Sequence, residues 1–154
     1  MSLLHFFLSP IGRISRQAFW LGLVVLMAVT VPVSLLLDPG AAISTKQAPP
    51  LAATIWNLIL TWPSAAISIK RFNDRDWPPW IGYQLGIAMA ALILANHVGL
   101  LLDPDSMDPT EKLVFSVLLV FFMWAMIDNG FYKGTSGPNR HGPDPLAGQP
   151  QTTT

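Results

Sequence analysis

The sequence predicts an all-α membrane protein, a polytopic bundle of four transmembrane helices joined by short loops. Three observations predict it: 51% of the residues are hydrophobic, only 12% are charged, and the apolar residues gather in four uncharged stretches. A soluble domain carries about 25% charged residues, so this chain has too few charges to cover a water-facing surface. A span needs about 20 apolar residues at about 1.5 Å rise each. The predicted spans are 18–37, 51–69, 80–102 and 113–131.

Segments outside these spans are short. Residues 1–17 form an N-terminal segment whose apolar part, Leu3 to Leu8, is too short to span and is predicted to lie in the membrane interface. The fourth span reaches its length only if Asp128 to Phe131 lie among the headgroups, where a polar helix end is tolerated. Residues 18–145 make up the transmembrane domain with a C-terminal motif at 134–145, and the Gly-, Pro- and Thr-rich end, 146–154, is predicted to be disordered.

The distribution of Lys and Arg predicts the orientation. With a cytoplasmic N-terminus, seven basic residues fall inside and two, Lys46 and Lys112, fall outside. The seven inner residues are Arg13, Arg16, Lys70, Arg71, Arg75, Lys133 and Arg140. Because cytoplasmic loops are enriched in Lys and Arg, both termini are predicted to be cytoplasmic.

Polar residues within the second span follow helical spacing. Asn57, Thr61, Ser64 and Ser68 are separated by four, three and four residues, which places them on one face of a helix. This polar stripe is interpreted as the wall of a path for a small solute or ion, or as hydrogen bonding between helices. The second interpretation is favoured, because the spans contain no charged residue at mid-membrane that would couple an ion.

Small residues in the third span predict close helix packing. Gly82, Gly86 and Ala90 recur every four residues, so another helix backbone can approach this stripe. The spacing leaves open whether the partner helix belongs to the same bundle or to a second protomer.

Three segments between the spans resemble a known family. They are Gly12-Arg13-Ile14-Ser15-Arg16 with Phe19-Trp20, then Lys70-Arg71-Phe72-Asn73-Asp74, and then Gly137 to Pro145. In this order they are similar to the bacterial inner-membrane family called domain of unknown function 805 (DUF805). The resemblance implies a small multi-span protein of the bacterial inner membrane and implies no activity, cofactor or catalytic residue. Lys70 and Asn73 depart from the family's usual Arg and His, so a role that needs that imidazole is in doubt.

The charged residues of these segments are predicted to lie near one membrane face. Since Arg forms bidentate pairs with carboxylates, we expect a polar cap that joins the loops and the tail under the bundle. The competing interpretation is a set of unlinked charges that reach the headgroups separately. The predicted cap consists of Arg13, Arg16, Arg71, Asp74, Asp128, Asn139, Arg140 and Asp144.

Composition and motifs narrow the function classes. Nine basic and nine acidic residues give the chain no net charge. Since a nucleic-acid binder would show an excess of basic residues, no nucleic-acid partner is predicted. No nucleophile with a base, paired carboxylates or metal-ligand set is apparent, so no enzyme, cofactor or metal is predicted. The expected partners are membrane lipid and either a protein or a second copy of the chain. A membrane scaffold or partner-binding module is the first interpretation, and a module that binds or transports a small solute or anionic lipid is the alternative.

Overall fold

A computed structural model describes residues 2–42, 47–100 and 107–147. The regular elements in these residues are helices, apart from one isolated bridge between Asn139 and Gly142. The elements are α1 (Leu3–Leu8), α2 (Arg16–Leu37), a short 3₁₀ helix (Pro39–Ala42), α3 (Leu51–Asp74), α4 (Pro79–His97) and α5 (Pro109–Phe131). Helices α2 to α5 are long and apolar enough to cross a membrane. The prediction of an all-α protein with four membrane-spanning helices is confirmed.

Some helices begin or end away from the edges of the apolar stretches. Helix α3 continues through Lys70 to Asp74, because the polar side chains of that turn are buried and bonded rather than solvated. Helix α5 begins at Pro109, where Asp108 and Glu111 form a capping box that bonds the first free N–H groups. Residues 101–102 of the third predicted span, and 148–154 of the predicted disordered tail, lie outside the described residues.

A tight turn joins α3 to α4. The N–H of Trp77 donates to the carbonyl of Phe72 at 3.0 Å, and the N–H of Asp76 donates to that of Asn73 at 3.1 Å. These two bonds form a Schellman motif at the C-terminus of α3, in which Asp76 has the left-handed backbone conformation with a φ of 58°. Pro79 then begins α4, where its missing N–H has no cost. The short turn makes α3 and α4 antiparallel neighbours.

Helix α3 is the central helix and packs against α1, α2, α4 and α5. One apolar cluster joins α2 and α3 around Phe19, Leu26 and Ile67, with Phe6 and Phe7 of α1 against it. A second cluster joins α3, α4 and α5 around Phe72 and Ala125. We call the end of the bundle where α3 and α5 end and α2 and α4 begin the cap half, and the opposite end the distal half. Both clusters extend from the cap half toward the middle of the helices.

The distal half is packed less completely. Polar contacts between its described residues still join its helices: the Ser34 hydroxyl donates to Asn57 Oδ1 at 3.2 Å, and Thr54 Oγ1 lies 3.0 Å from His97 Nδ1. Helix α5 differs, because its six consecutive residues 112–117 are all exposed and together cover its circumference. The cap half therefore holds α5 in place.

Candidate functional site

Asp74 lies at the centre of the cap half, between two arginines. Its Oδ1 is 3.0 Å from Nε and 2.9 Å from Nη2 of Arg13, and its Oδ2 accepts from Nη1 of Arg71. The exposed fractions of the Arg13, Asp74 and Arg71 side chains are 1%, 4% and 0%. Burial without a partner would be very unfavourable for each of these charges, so the triad forms only if the surrounding backbone completes it.

The guanidinium of Arg13 is completed by backbone carbonyls. Besides its two contacts with Asp74, its Nη2 donates to the carbonyl of Thr135 at 2.6 Å. Its Nη1 donates to the carbonyls of Gly137 and Gly142 at 2.7 and 3.3 Å. A guanidinium has five N–H donors, and these five contacts match them. Arg13 thus binds the C-terminal segment of its own chain.

Side chains from α2, from α3 and from Arg75 directly after α3 bind the C-terminal end of α5. The last carbonyls of a helix have no partner within the helix, and this end carries partial negative charge, so cationic donors stabilise it. Five successive carbonyls are bonded here. They are those of Asn129 (Arg71 Nε, 2.6 Å), Gly130 (Trp20 Nε1, 3.0 Å), Phe131 (Arg16 Nη1, 3.0 Å), Tyr132 (Arg71 Nη2) and Lys133 (Arg75 Nη1, 2.7 Å).

Residues 134–147, which we call the strap, cross beneath the triad after α5. The N–H and hydroxyl of Thr135 donate to the carbonyl of Asp74 at 2.8 and 3.1 Å. The Asn139 side chain donates to the carbonyl of Asn73 at 3.0 Å. Gly134 passes so close to Asp74 that a Cβ atom would overlap its carboxylate. The strap therefore has a fixed path although it contains no helix.

The N-terminal segment is bound by the same turn of α3. Lys70 Nζ donates to the carbonyls of His5 and Phe6 in α1 at 2.5 and 2.8 Å. The Asn73 side chain donates to the carbonyls of Pro10 and Gly12 at 3.2 and 3.1 Å. Backbone carbonyls that other elements cover need internal partners, and the last turn of α3 supplies them to α1 and the following loop.

The remaining residues of the predicted cap are bonded to groups outside it. Asp128 faces Arg75, whose Nε and Nη2 lie 3.4 and 3.3 Å from its two oxygens. Arg140 Nε lies 3.0 Å from Asp76 Oδ1 on the exposed rim.

Within the described part of the chain, Asp144 forms no ion pair with an arginine side chain. Its oxygens accept the N–H groups of Leu146 and Gly137 at 2.8 and 2.9 Å. Those two bonds, Leu146 first, hold the pKa of Asp144 below that of an ordinary aspartate.

The structure thus brings Arg13, Arg71 and Asp74 into direct contact and connects Asn139 to them through the strap. Arg16 is exposed and binds α5 rather than a carboxylate. Side chains that bond to this network but are absent from the predicted cap include Trp20, Lys70, Asn73, Arg75, Asp76 and Thr135. The uncapped end of α5 was a signal that could have found Arg75 and Trp20, since its carbonyls needed donors from elsewhere in the chain.

Hydroxyl groups of the polar stripe bond within α3. Thr61, Ser64 and Ser68 donate to the carbonyls of Asn57, Leu60 and Ser64, at 3.0, 2.9 and 2.9 Å. The fourth member, Asn57, accepts from Ser34 of α2. Among the described residues, Asn57 is therefore the one member of the stripe that bonds to another helix.

Gly82 and Gly86 pack against α3 within the bundle. A Cβ on Gly82 would lie 2.5 Å from Ile69 Cγ1, and one on Gly86 would lie 3.0 Å from the Ala65 Cβ. An apolar groove of about 300 Å³ lies along the same two helices. Its lining is Leu58, Thr61, Trp62, Ala65, Tyr83, Gly86, Ile87 and Ala90.

Within the described residues, no group of three or more His, Cys, Asp or Glu side chains is placed to hold a metal ion. The family model "Protein of unknown function (DUF805)" matches residues 7–143, which include the triad and most of the strap. The chain belongs to the DUF805 family. No curated protein and no solved structure matches it. Since the DUF805 match names no activity, a function for this member has to be proposed from its own geometry.

Proposed function

We propose that this protein is a non-enzymatic membrane scaffold that presents the outer face of the strap to a protein partner. The observation that carries this proposal is the use of Arg13 and Arg71 as internal donors to Asp74, α5 and the strap. The contacts of Arg13 match all five of its N–H groups, and Arg71 uses four of its five within the protein, so this pair has little left to offer a phosphate or carboxylate ligand. The interior of the cap therefore suits a structural role better than a binding pocket.

The strap has the properties of a recognition loop. Its backbone is bonded to the triad and to Asn73, whereas Ser136, Pro138, Arg140, Pro143 and Leu146 are exposed. Binding residues are often found on loops that a rigid scaffold holds in one conformation, since little conformational entropy is then lost on binding. A partner protein would contact these outward side chains without disturbing the triad.

We also propose that the strap is cytoplasmic and that the membrane is the bacterial inner membrane. The support is the excess of Lys and Arg on the cap side of the spans, seven residues against two. A partner would then be cytoplasmic or would reach the strap from the same face of the membrane.

A path for a solute along the polar stripe has less support. The hydroxyl groups of Thr61, Ser64 and Ser68 already bond to carbonyls of their own helix. A hydroxyl in that arrangement already uses its O–H group as a donor, so it can offer a solute only its lone pairs as acceptors. Because the hydroxyls of Ser64 and Ser68 donate to backbone carbonyls, neither donates to a general base among the described residues. This arrangement favours a non-enzymatic role.

The test is photo-crosslinking in cells with a photoreactive amino acid at one of two exposed leucines. Leu146 lies on the strap and is 49% exposed, and Leu113 lies on the distal half of α5 and is 64% exposed. The expected result is a protein adduct of defined mass at position 146 and lipid adducts alone at position 113. No protein adduct at 146, or the same adducts at both positions, would overturn the proposal.

A further inference from the structure

The cap half contains more basic than acidic residues. It has four acidic residues, Asp74, Asp76, Asp128 and Asp144. Its seven basic residues are Arg13, Arg16, Lys70, Arg71, Arg75, Lys133 and Arg140. Three of the four carboxylates pair with arginines, and Asp144 bonds to backbone N–H groups. Within the described part of the chain, this leaves Arg16, Lys70 and Lys133 without an ion pair. Lys70 is fully buried beneath α1, so the exposed surplus charges are Arg16 and Lys133.

These two charges lie at the junction of α2 and α5. Arg16 donates one N–H to the carbonyl of Phe131, and its other N–H groups have no acceptor among the described residues. Lys133 follows two residues after Phe131, and Arg75 fixes its carbonyl at 2.7 Å while its side chain is exposed. These bonds place the Arg16 guanidinium and the backbone of Lys133 at the same end of α5.

Aromatic rings mark this end of the bundle as a membrane boundary. Trp20 and Phe131 pack edge to face with ring centroids 5.7 Å apart, and both are exposed. Beyond them the exposed surface is apolar, with Leu21 and Val24 on α2 and Ile127 on α5. Tryptophan rings favour the headgroup level, so Trp20 places Arg16 and Lys133 near the depth of lipid phosphates.

We propose that Arg16 and Lys133 bind the phosphate of an anionic phospholipid whose acyl chains lie along α2 and α5. The positive pair complements an anionic headgroup, and the apolar faces beside it accommodate the chains. A soluble phosphate would gain the charge contact alone. This site differs from the interior of the cap, where the arginine donors are already bonded, and does not depend on the proposed protein partner.

The experiment is native mass spectrometry of the full chain in detergent with equimolar phosphatidylglycerol and phosphatidylcholine. The wild type is expected to retain the anionic lipid about thirtyfold more than the zwitterionic one, on the basis of two basic residues at a charged interface. The double variant Arg16→Gln, Lys133→Gln should lower this preference to about twofold or less. Lys112→Gln, which removes one exposed charge at the distal end, should leave the preference unchanged.

Two further measurements keep the test decisive if Arg16→Gln weakens the fold. Lys133→Gln alone leaves the Arg16 bond to α5 intact and should still lower the preference, and Arg16→Lys should retain it. An equal retention of both lipids by the wild type, or an undiminished preference in the double variant, would overturn the proposal. Binding of glycerol phosphate as tightly as the anionic lipid would overturn the assignment to a lipid.

Discussion

The two ends of α5 are held in different ways. At the C-terminal end Asp128, Asn129 and Gly130 are buried, and side chains from α2 and α3 bond successive carbonyls. At the N-terminal end residues 112–117 are exposed all round, and the helix is capped by its own Asp108 and Glu111. In an 18-residue apolar stretch of α3, 50% is buried within the protein, compared with 22% in such a stretch of α5.

This difference reflects how a bilayer changes the energetics of packing. Lipid chains are as apolar as leucine, so exposed apolar helix faces gain little by meeting each other. Backbone carbonyls and charged groups buried in the cap have no such alternative partner, and bonds between them are strongly favoured. We therefore expect the cap half to supply most of the tertiary stability, with effects that decrease toward the distal half.

The largest expected effect comes from Asp74→Asn. It leaves the guanidinium groups of Arg13 and Arg71 buried without their shared carboxylate, which should cost about 3 to 5 kcal/mol in the free energy of unfolding. The measurement is denaturant unfolding in mixed micelles. Val120→Ala, on the exposed face of α5, should change the free energy of unfolding by less than about 0.5 kcal/mol. Comparable losses in the two variants would contradict the division into two halves.

Lys70→Met should release α1 from the bundle. Methionine keeps an apolar side chain of similar length but leaves the carbonyls of His5 and Phe6 without their charged donor, at a cost of about 1.5 to 3 kcal/mol. Hydrogen exchange of residues 3–8 should become faster, while that of α4 stays unchanged. The control is Lys112→Met on the exposed part of α5. Unchanged exchange in residues 3–8 of Lys70→Met would show that α1 is held by its apolar contacts alone.

Gly82→Ala should be less stable than the wild type by about 1 to 3 kcal/mol, because the added methyl group overlaps Ile69. Gly86→Ala, one turn closer to the distal half, meets only the Ala65 Cβ at 3.0 Å and should have a smaller effect. Thermal unfolding in detergent gives the comparison. The Ile69→Ala change should recover part of the loss in the Gly82→Ala background. An equal loss in both glycine variants would show that α3 and α4 are equally close along the whole stripe.

The smallest expected effect is a pH dependence of the strap. Because N–H groups of Leu146 and Gly137 lower the pKa of Asp144, the folded strap is favoured above the pKa of an unfolded aspartate. That contribution is lost as the pH falls through the lowered pKa. The amide proton shifts of Gly137 and Leu146 should therefore titrate with a midpoint below that of an ordinary aspartate, and Asp144→Asn should abolish the titration. A midpoint at or above the ordinary value would mean that these bonds do not favour the charged form.

Much of the fold follows from local patterns in the sequence. Runs of apolar residues such as 18–37 predict helices that cross the membrane, since length and hydropathy suffice to identify a span. The pairing of Arg71 with Asp74 is also within reach of the sequence, because residues three apart lie on one helix face. The same spacing placed the polar stripe on one face of α3 but could not show that its hydroxyls bond within the helix.

The partners that lie far apart in the chain required the tertiary structure. Asp128 bonds to Arg75 rather than to a residue of the predicted cap, and Asp144 bonds to backbone groups of the strap. A sequence shows which residues are charged but not which backbone carbonyls compete with carboxylates for the N–H groups of an arginine. Around Arg13, more carbonyls than carboxylates accept these N–H groups.

The sequence by itself determined the all-α class, the number of spans and the family, because hydropathy and short motifs are local properties. Only the tertiary structure decided that the cap binds its own chain and that Arg16 and Lys133 remain exposed. Burial of a charge depends on every element packed around it, and that arrangement is set by contacts between residues more than a hundred positions apart, such as Arg13 with Thr135.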